Sequence, residues 1–164
     1  MKKLFLLAAL AIFGTNLHAQ DFKLGINAGL PLGNAGDVSS FSLILDAGFL
    51  WEVSEEFDLG VMSGFSHSFG KEAAQIGNAS VNYGDVSFIP IAGAARFNAS
   101  DKFTLGLDLG YAIGVSDGND GGFYYAPRVQ YGVSETMAIV LAYRGISMDG
   151  GSFDILSAGL EFRL

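Results

Sequence analysis

Ten charged side chains recur at alternate positions of the chain, each beside a large apolar residue: Lys23, Asp46, Glu52, Asp58, Arg96, Asp108, Arg128, Arg144, Glu161 and Arg163. Five are cations and five are anions, and four of the five cations are arginine. Such a balance suits a buried ion-pair network, because an unpaired charge away from water costs several kcal/mol. Arginine suits it further, since its planar fork matches a carboxylate. The expected pairing sets Arg96, Arg128 and Arg144 against Asp46, Asp58 and Asp108. Lys23, Glu52, Glu161 and Arg163 are expected to pair nearer one end.

A second set is His67 with Ser63, Ser66 and Ser68 on the same segment and Asp85 further on. Nucleophile, base and acid are the parts of an acyl hydrolase, and they must touch. Ser63 and His67 share a face but lie four positions apart, about 13 Å along a strand. His67 is therefore expected to be an interfacial residue. Catalytic residues are not expected, and neither is enzymatic activity. Asp117-Gly118-Asn119-Asp120-Gly121-Gly122 has too few spaced oxygens for a calcium loop and lacks its terminal Glu. There is no cysteine, so thiolate metal sites and disulfides are excluded. No metal or cofactor is expected.

The elements that position these residues alternate with period two. In Phe103-Thr104-Leu105-Gly106-Leu107-Asp108-Leu109-Gly110-Tyr111 every odd position is large and apolar, and every even one is small or charged. A strand separates those two sets onto opposite faces, whereas a helix would mix them. Seven further segments follow the rule, running over 22–30, 41–51, 57–65, 89–97, 123–131, 137–143 and 156–164. Three connections share a serine, an acid, one polar residue and a large apolar restart: Ser54-Glu55-Glu56-Phe57, Ser100-Asp101-Lys102-Phe103 and Ser134-Glu135-Thr136-Met137. These read as tight turns. The other connections, over 31–39, 70–84, 116–122 and 148–152, read as longer loops.

Residues 1–19 are a different object. Lys2 and Lys3 precede ten apolar residues, Leu4 to Phe13, and the segment ends at Leu17-His18-Ala19. This is a secretory signal, too short for a spanning helix. The mature domain is expected over 20–164. Removing the signal leaves 7 basic and 17 acidic residues, so the formal charge goes from −8 to −10. A nucleic-acid partner is excluded, because phosphate binding needs a basic footprint. With so many strands, membrane entry requires a closed barrel, since lipid cannot satisfy an open sheet edge. The fold expected is all-β: an eight-stranded antiparallel up-and-down transmembrane β-barrel.

A soluble lipocalin-like barrel would alternate too, with its apolar face inside. The polar face here is rich in glycine, at Gly25, Gly29, Gly48, Gly60, Gly64, Gly106, Gly110, Gly114, Gly132 and Gly159. A narrow lumen needs small residues, while a solvated face would avoid glycine. Aromatics on the apolar face fall into two groups. Trp51, Phe57, Phe97, Phe103, Tyr131 and Phe162 lie near the turns. Phe41, Phe65, Tyr111, Phe123, Tyr125 and Tyr143 lie near the loops. Two girdles around an aliphatic band are what two membrane interfaces select.

The signal ending at Ala19-Gln20, the strand opening Phe88-Ile89-Pro90-Ile91 and the terminal Leu160-Glu161-Phe162-Arg163-Leu164 carry a resemblance. Over 20–164 the chain resembles the small outer-membrane β-barrels of the OmpA/OmpX type, in the version common in Bacteroidetes. The resemblance implies an integral outer-membrane monomer in contact with lipid and lipopolysaccharide. It also implies recognition by barrel-assembly machinery through Leu160, Phe162 and Leu164. In related barrels Arg and carboxylate groups plug the interior, so a structural, envelope-stabilising or surface-interaction role is expected. The alternatives are a narrow porin, a lipid A-modifying barrel enzyme and a soluble ligand-binding barrel.

Overall fold

The computed structural model describes residues 20–76 and 79–164; the export signal expected over 1–19 lies outside the described residues. Eight of its strands are the alternating segments, extended at their ends: β1 (Gln20–Leu32), β2 (Ser39–Ser54), β3 (Phe57–Gly70), β6 (Val86–Asn98), β7 (Phe103–Gly114), β8 (Gly122–Ser134), β9 (Met137–Met148) and β10 (Gly151–Arg163). They close in the order β1-β10-β9-β8-β7-β6-β3-β2, all pairs antiparallel. Closure runs from Lys23 opposite Arg163 to Leu32 opposite Asp154, so the last strand seals the first. Every barrel strand thus has two neighbours, which removes the unpaired edge that lipid would not tolerate.

The large apolar face points outward. Leu107 and Leu109 are 40% and 47% exposed, whereas Asp108 between them is 1% exposed. That is the reverse of a soluble barrel with an apolar interior, and it sets the soluble alternative aside. In the lumen the glycines make room for long neighbours. A Cβ on Gly106 would stand 2.7 Å from Arg128 Cγ and 2.8 Å from Arg96 Cδ. Both arginines cross over this one strand position. On the outside the Tyr125 ring lies over Gly145, its register partner, where any Cβ would strike the ring.

The turn serines act as their spacing suggests. Ser100 Oγ accepts from the Phe103 amide at 3.1 Å, and Ser134 Oγ receives the Thr136 amide at 3.4 Å. The opposite end departs from expectation in three places. The 31–39 connection folds as a short helix, α1 (Gly33–Val38), whose Ala35 is buried. The 70–84 connection holds a hairpin of β4 (Glu72–Ile76) and β5 (Ala79–Asn82). The 148–152 connection is not a long loop but a two-residue turn at Asp149–Gly150, with Gly150 at φ +93°. Asp-Gly supplies the positive φ that such a hairpin turn needs, so pairing continues further than alternation alone suggested. Lys71 ties α1 to the hairpin base: its amide donates to Val38 O at 2.8 Å and its ammonium to Gly36 O.

Candidate functional site

The lumen is layered along its axis. Its middle layer is a charged belt built from β2, β6, β7, β8, β9 and β10. Arg144 grips Asp46 with both ends of its fork, at 3.0 and 2.6 Å. It also donates to Ser157 Oγ at 3.0 Å and to Tyr124 Oη at 3.2 Å. Asn27 donates to the same Asp46 carboxylate at 3.0 Å. Asp108 is shared: Arg96 donates to one oxygen at 2.6 Å and Arg128 to the other at 2.5 Å. Arg128 continues to Glu161 at 3.4 Å, and Gln130 donates to Glu161 at 2.9 Å. Three arginines thus meet three carboxylates, all buried. Neutrality and multiple hydrogen bonds are what make burial of such ions tolerable. Arg96 Nε and Nη2 and Arg128 Nε are buried without a partner among the described residues. Such groups are positions for ordered water.

Toward the turns the lumen opens into a cavity of about 550 Å³, lined in part by Asp21, Lys23, Glu52, Asp58, Asn98 and Arg163. Toward the loops it is filled. Ile44, Phe88, Tyr124, Ile146, Phe153 and Ile155 pack with Ala35 of α1 into one buried cluster. Phe88 and Phe153 meet tilted at 56°, with 5.3 Å between centroids.

The geometry sorts the ten charges differently from the expected pairing. Asp58 stands opposite Arg96 in register, but Arg96 turns to Asp108 and Asp58 accepts from Asn98 at 3.1 Å. Glu161 belongs to the belt, not to the mouth. Arg163 and Lys23 meet Asp21 at 2.7 and 3.6 Å, an acid that the sequence reading passed over. Asp21 does continue the inward parity of Lys23, which was the available signal. Glu52 has no ion-pair partner among the described residues and lies opposite Asp58.

A family description of the outer membrane protein beta-barrel domain matches residues 5–163. The chain belongs to that family. Its fold is similar to Ail, the attachment invasion locus protein of Yersinia pestis, with TM-score 0.60 and 14% identity over 88% of this chain and 97% of that one. It is also similar to de novo designed transmembrane β-barrels, with TM-score 0.57 and 13% identity over 92% and 100%. Neisserial surface protein A gives TM-score 0.51 and 16% identity over 88% and 97%. A search of curated proteins by sequence finds no match.

In this outer-membrane barrel the aromatics divide by height on the outward face. Trp51, Phe57, Phe97, Phe103, Tyr131 and Phe162 stand near the turns, with Phe57 and Phe97 opposite one another at 5.0 Å. Tyr111, Tyr125 and Tyr143 stand near the loops, the last two at 6.2 Å. Leu160, Phe162 and Leu164 are exposed along the closing strand. The 117–122 loop is held by one bond of its own and one from β7: Asn119 Oδ1 accepts from the Gly121 amide at 3.0 Å, and Tyr111 Oη donates to Asp120 O at 3.1 Å. Three or more metal-ligating side chains do not gather anywhere among the described residues. The serines expected near His67 go elsewhere. Ser66 and Ser68 are buried, and Ser63 Oγ donates to Pro90 O at 3.0 Å. The serine that His67 does meet is Ser87, across the strand pair, at 2.8 Å.

Proposed function

We propose that residues 1–19 are a cleaved export signal and that residues 20–164 form a monomeric, non-conducting barrel with its loops outside. Its role on this reading is structural: it stabilises the envelope and presents a surface for interaction. The observation that carries this reading is the filled loop-end half of the lumen. An eight-stranded barrel leaves only enough interior for side chains, and here aromatic and aliphatic groups occupy it above a neutral ion-pair belt. The two aromatic groups are suited to lipid and lipopolysaccharide at the two interfaces. Leu160, Phe162 and Leu164 offer the terminal strand to assembly machinery before closure buries its hydrogen-bonding edge.

Planar-bilayer recording tests the reading. Silence is expected for the wild type and for variants in which belt charges are exchanged in pairs. The second reading, a narrow solute passage, draws on the open cavity at the turn end. Steady conductance in the wild type would establish it instead.

The neighbour Ail has been solved in complex with the heparin analogue sucrose octasulfate. That ligand class does not fit here. The described loop end carries Asp37, Glu72, Asp85, Asp117, Asp120 and Asp149 against Lys71. A rim of that charge repels polyanions and attracts cations.

A further inference from the structure

His67 on β3 and Ser87 on β6 are register partners on the outward face, at the loop end. His67 Nδ1 lies 2.8 Å from Ser87 Oγ, and Nε2 lies 3.5 Å from Asp85 Oδ2. With the ring proton on Nε2, Nδ1 accepts from the serine hydroxyl while Nε2–H faces the carboxylate. Hydroxyl, base and orienting acid stand in the order that activates a nucleophile.

Each member is braced. The imidazole lies between Phe65, stacked at 6.3 Å, and Phe69, edge-on at 4.6 Å. Asp85 Oδ1 accepts from the Gly70 amide at 2.9 Å, which leaves Oδ2 for the histidine. The Ser87 amide donates to Ser116 Oγ at 2.6 Å, and its carbonyl accepts from the Val115 amide at 3.0 Å. The backbone of Ser87 is thus committed to the fold, and its hydroxyl is committed to His67. Around the array the outward surface is apolar and exposed, with Phe65, Phe69, Ile113 and Val115. It sits among the loop-end aromatics, and outward aromatic rings of a membrane barrel gather at the head-group level.

We propose that Ser87, His67 and Asp85 form a hydrolytic site for the acyl esters of membrane lipid. Ser87 Oγ attacks the ester carbonyl while His67 takes its proton. His67 then returns that proton to the departing alcohol oxygen, leaving an acyl ester on Ser87. Water, deprotonated by His67, attacks that ester. Free fatty acid leaves, and the serine hydroxyl is restored. Ser87 and His67 are the catalytic residues, and Asp85 is a positioning residue that fixes the ring. Phospholipid and the acylated glycolipid of the outer leaflet both carry this bond.

The test uses the full folded barrel in detergent micelles and a fluorophosphonate probe. One adduct is expected, mapping to Ser87. It should be absent in Ser87→Ala and form at least about 100-fold more slowly in His67→Ala, the scale of a lost general base. Asp85→Asn should shift the pH profile of labelling, and Asp85→Glu should restore it. The change of gel mobility on boiling verifies folding of each variant. Fatty acid release is then measured from phosphatidylethanolamine and from lipopolysaccharide, each in mixed micelles. Release from either identifies the lipid. Absence of a Ser87 adduct, labelling that survives His67→Ala, or release from neither lipid overturns the proposal. Micelle labelling does not depend on which barrel end faces outward, so its failure leaves the sealed-barrel reading standing.

Discussion

Toward the loops, the lumen holds Phe88, Tyr124, Ile146, Phe153 and Ile155 beneath Ala35. Toward the turns, the same strands enclose an open cavity edged by Asp21, Lys23, Glu52, Asp58 and Arg163. Between them lies the belt, where every acid has an arginine. The contrast shows that a narrow barrel is closed in two unlike ways. Apolar packing fills one end, where the buried Ser42 and Ser68 hydroxyls pair with one another at 2.6 Å. Ion pairs fill the middle, where each charge needs a partner because it is buried away from bulk solvent. At the turn end the cavity is open, and Glu52 faces Asp58 across the strand pair there.

The largest effect separating these regions is expected in the belt. Asp108→Ala leaves Arg96 and Arg128 buried with their shared anion gone, a change of about 3–5 kcal/mol. Urea unfolding followed by gel mobility in lipid vesicles measures it. A loss below about 1 kcal/mol would mean that water reaches the belt. In the packed end, Phe153→Ala should cost about 3 kcal/mol through a cavity beside Phe88. If that cluster is the seal, the variant should also admit small ions in bilayer recordings. Gly106→Val tests the crossing of the two arginines. A side chain 2.7 Å from Arg128 Cγ forces both arms to move, with an expected loss of about 1–3 kcal/mol. The smallest effect belongs to the open end. Glu52→Gln should change stability by no more than about 0.5 kcal/mol in the same assay.

Much of this was legible in one dimension. Leu105, Leu107 and Leu109 against Gly106 and Asp108 state that there are two faces, and period two states which residues share one. The serine-acid turns are local bonds between neighbours, and Ser100 forms them as its spacing implies. The belt was legible as a set but not as pairs. Which carboxylate Arg96 takes depends on where a long side chain points inside a closed cylinder. Parity along a strand does not contain that information. It picks Asp108 at 2.6 Å although Asp58 is its neighbour in register. The plug was missed for a related reason. Phe88 and Phe153 look like ordinary aromatics until closure brings β6 and β10 across the lumen from one another.

His67 shows the boundary most sharply. Along its own strand the nearest same-face serine was too distant to touch, and that remains true of Ser63. Sequence alone determined the eight barrel strands, their two faces and the three serine turns, because each rests on contacts between residues near in the chain. Only the tertiary structure decided that Ser87, twenty positions away, stands 2.8 Å from the imidazole. Register between strands is set by the whole closed sheet, and a single segment carries no record of what lies beside it.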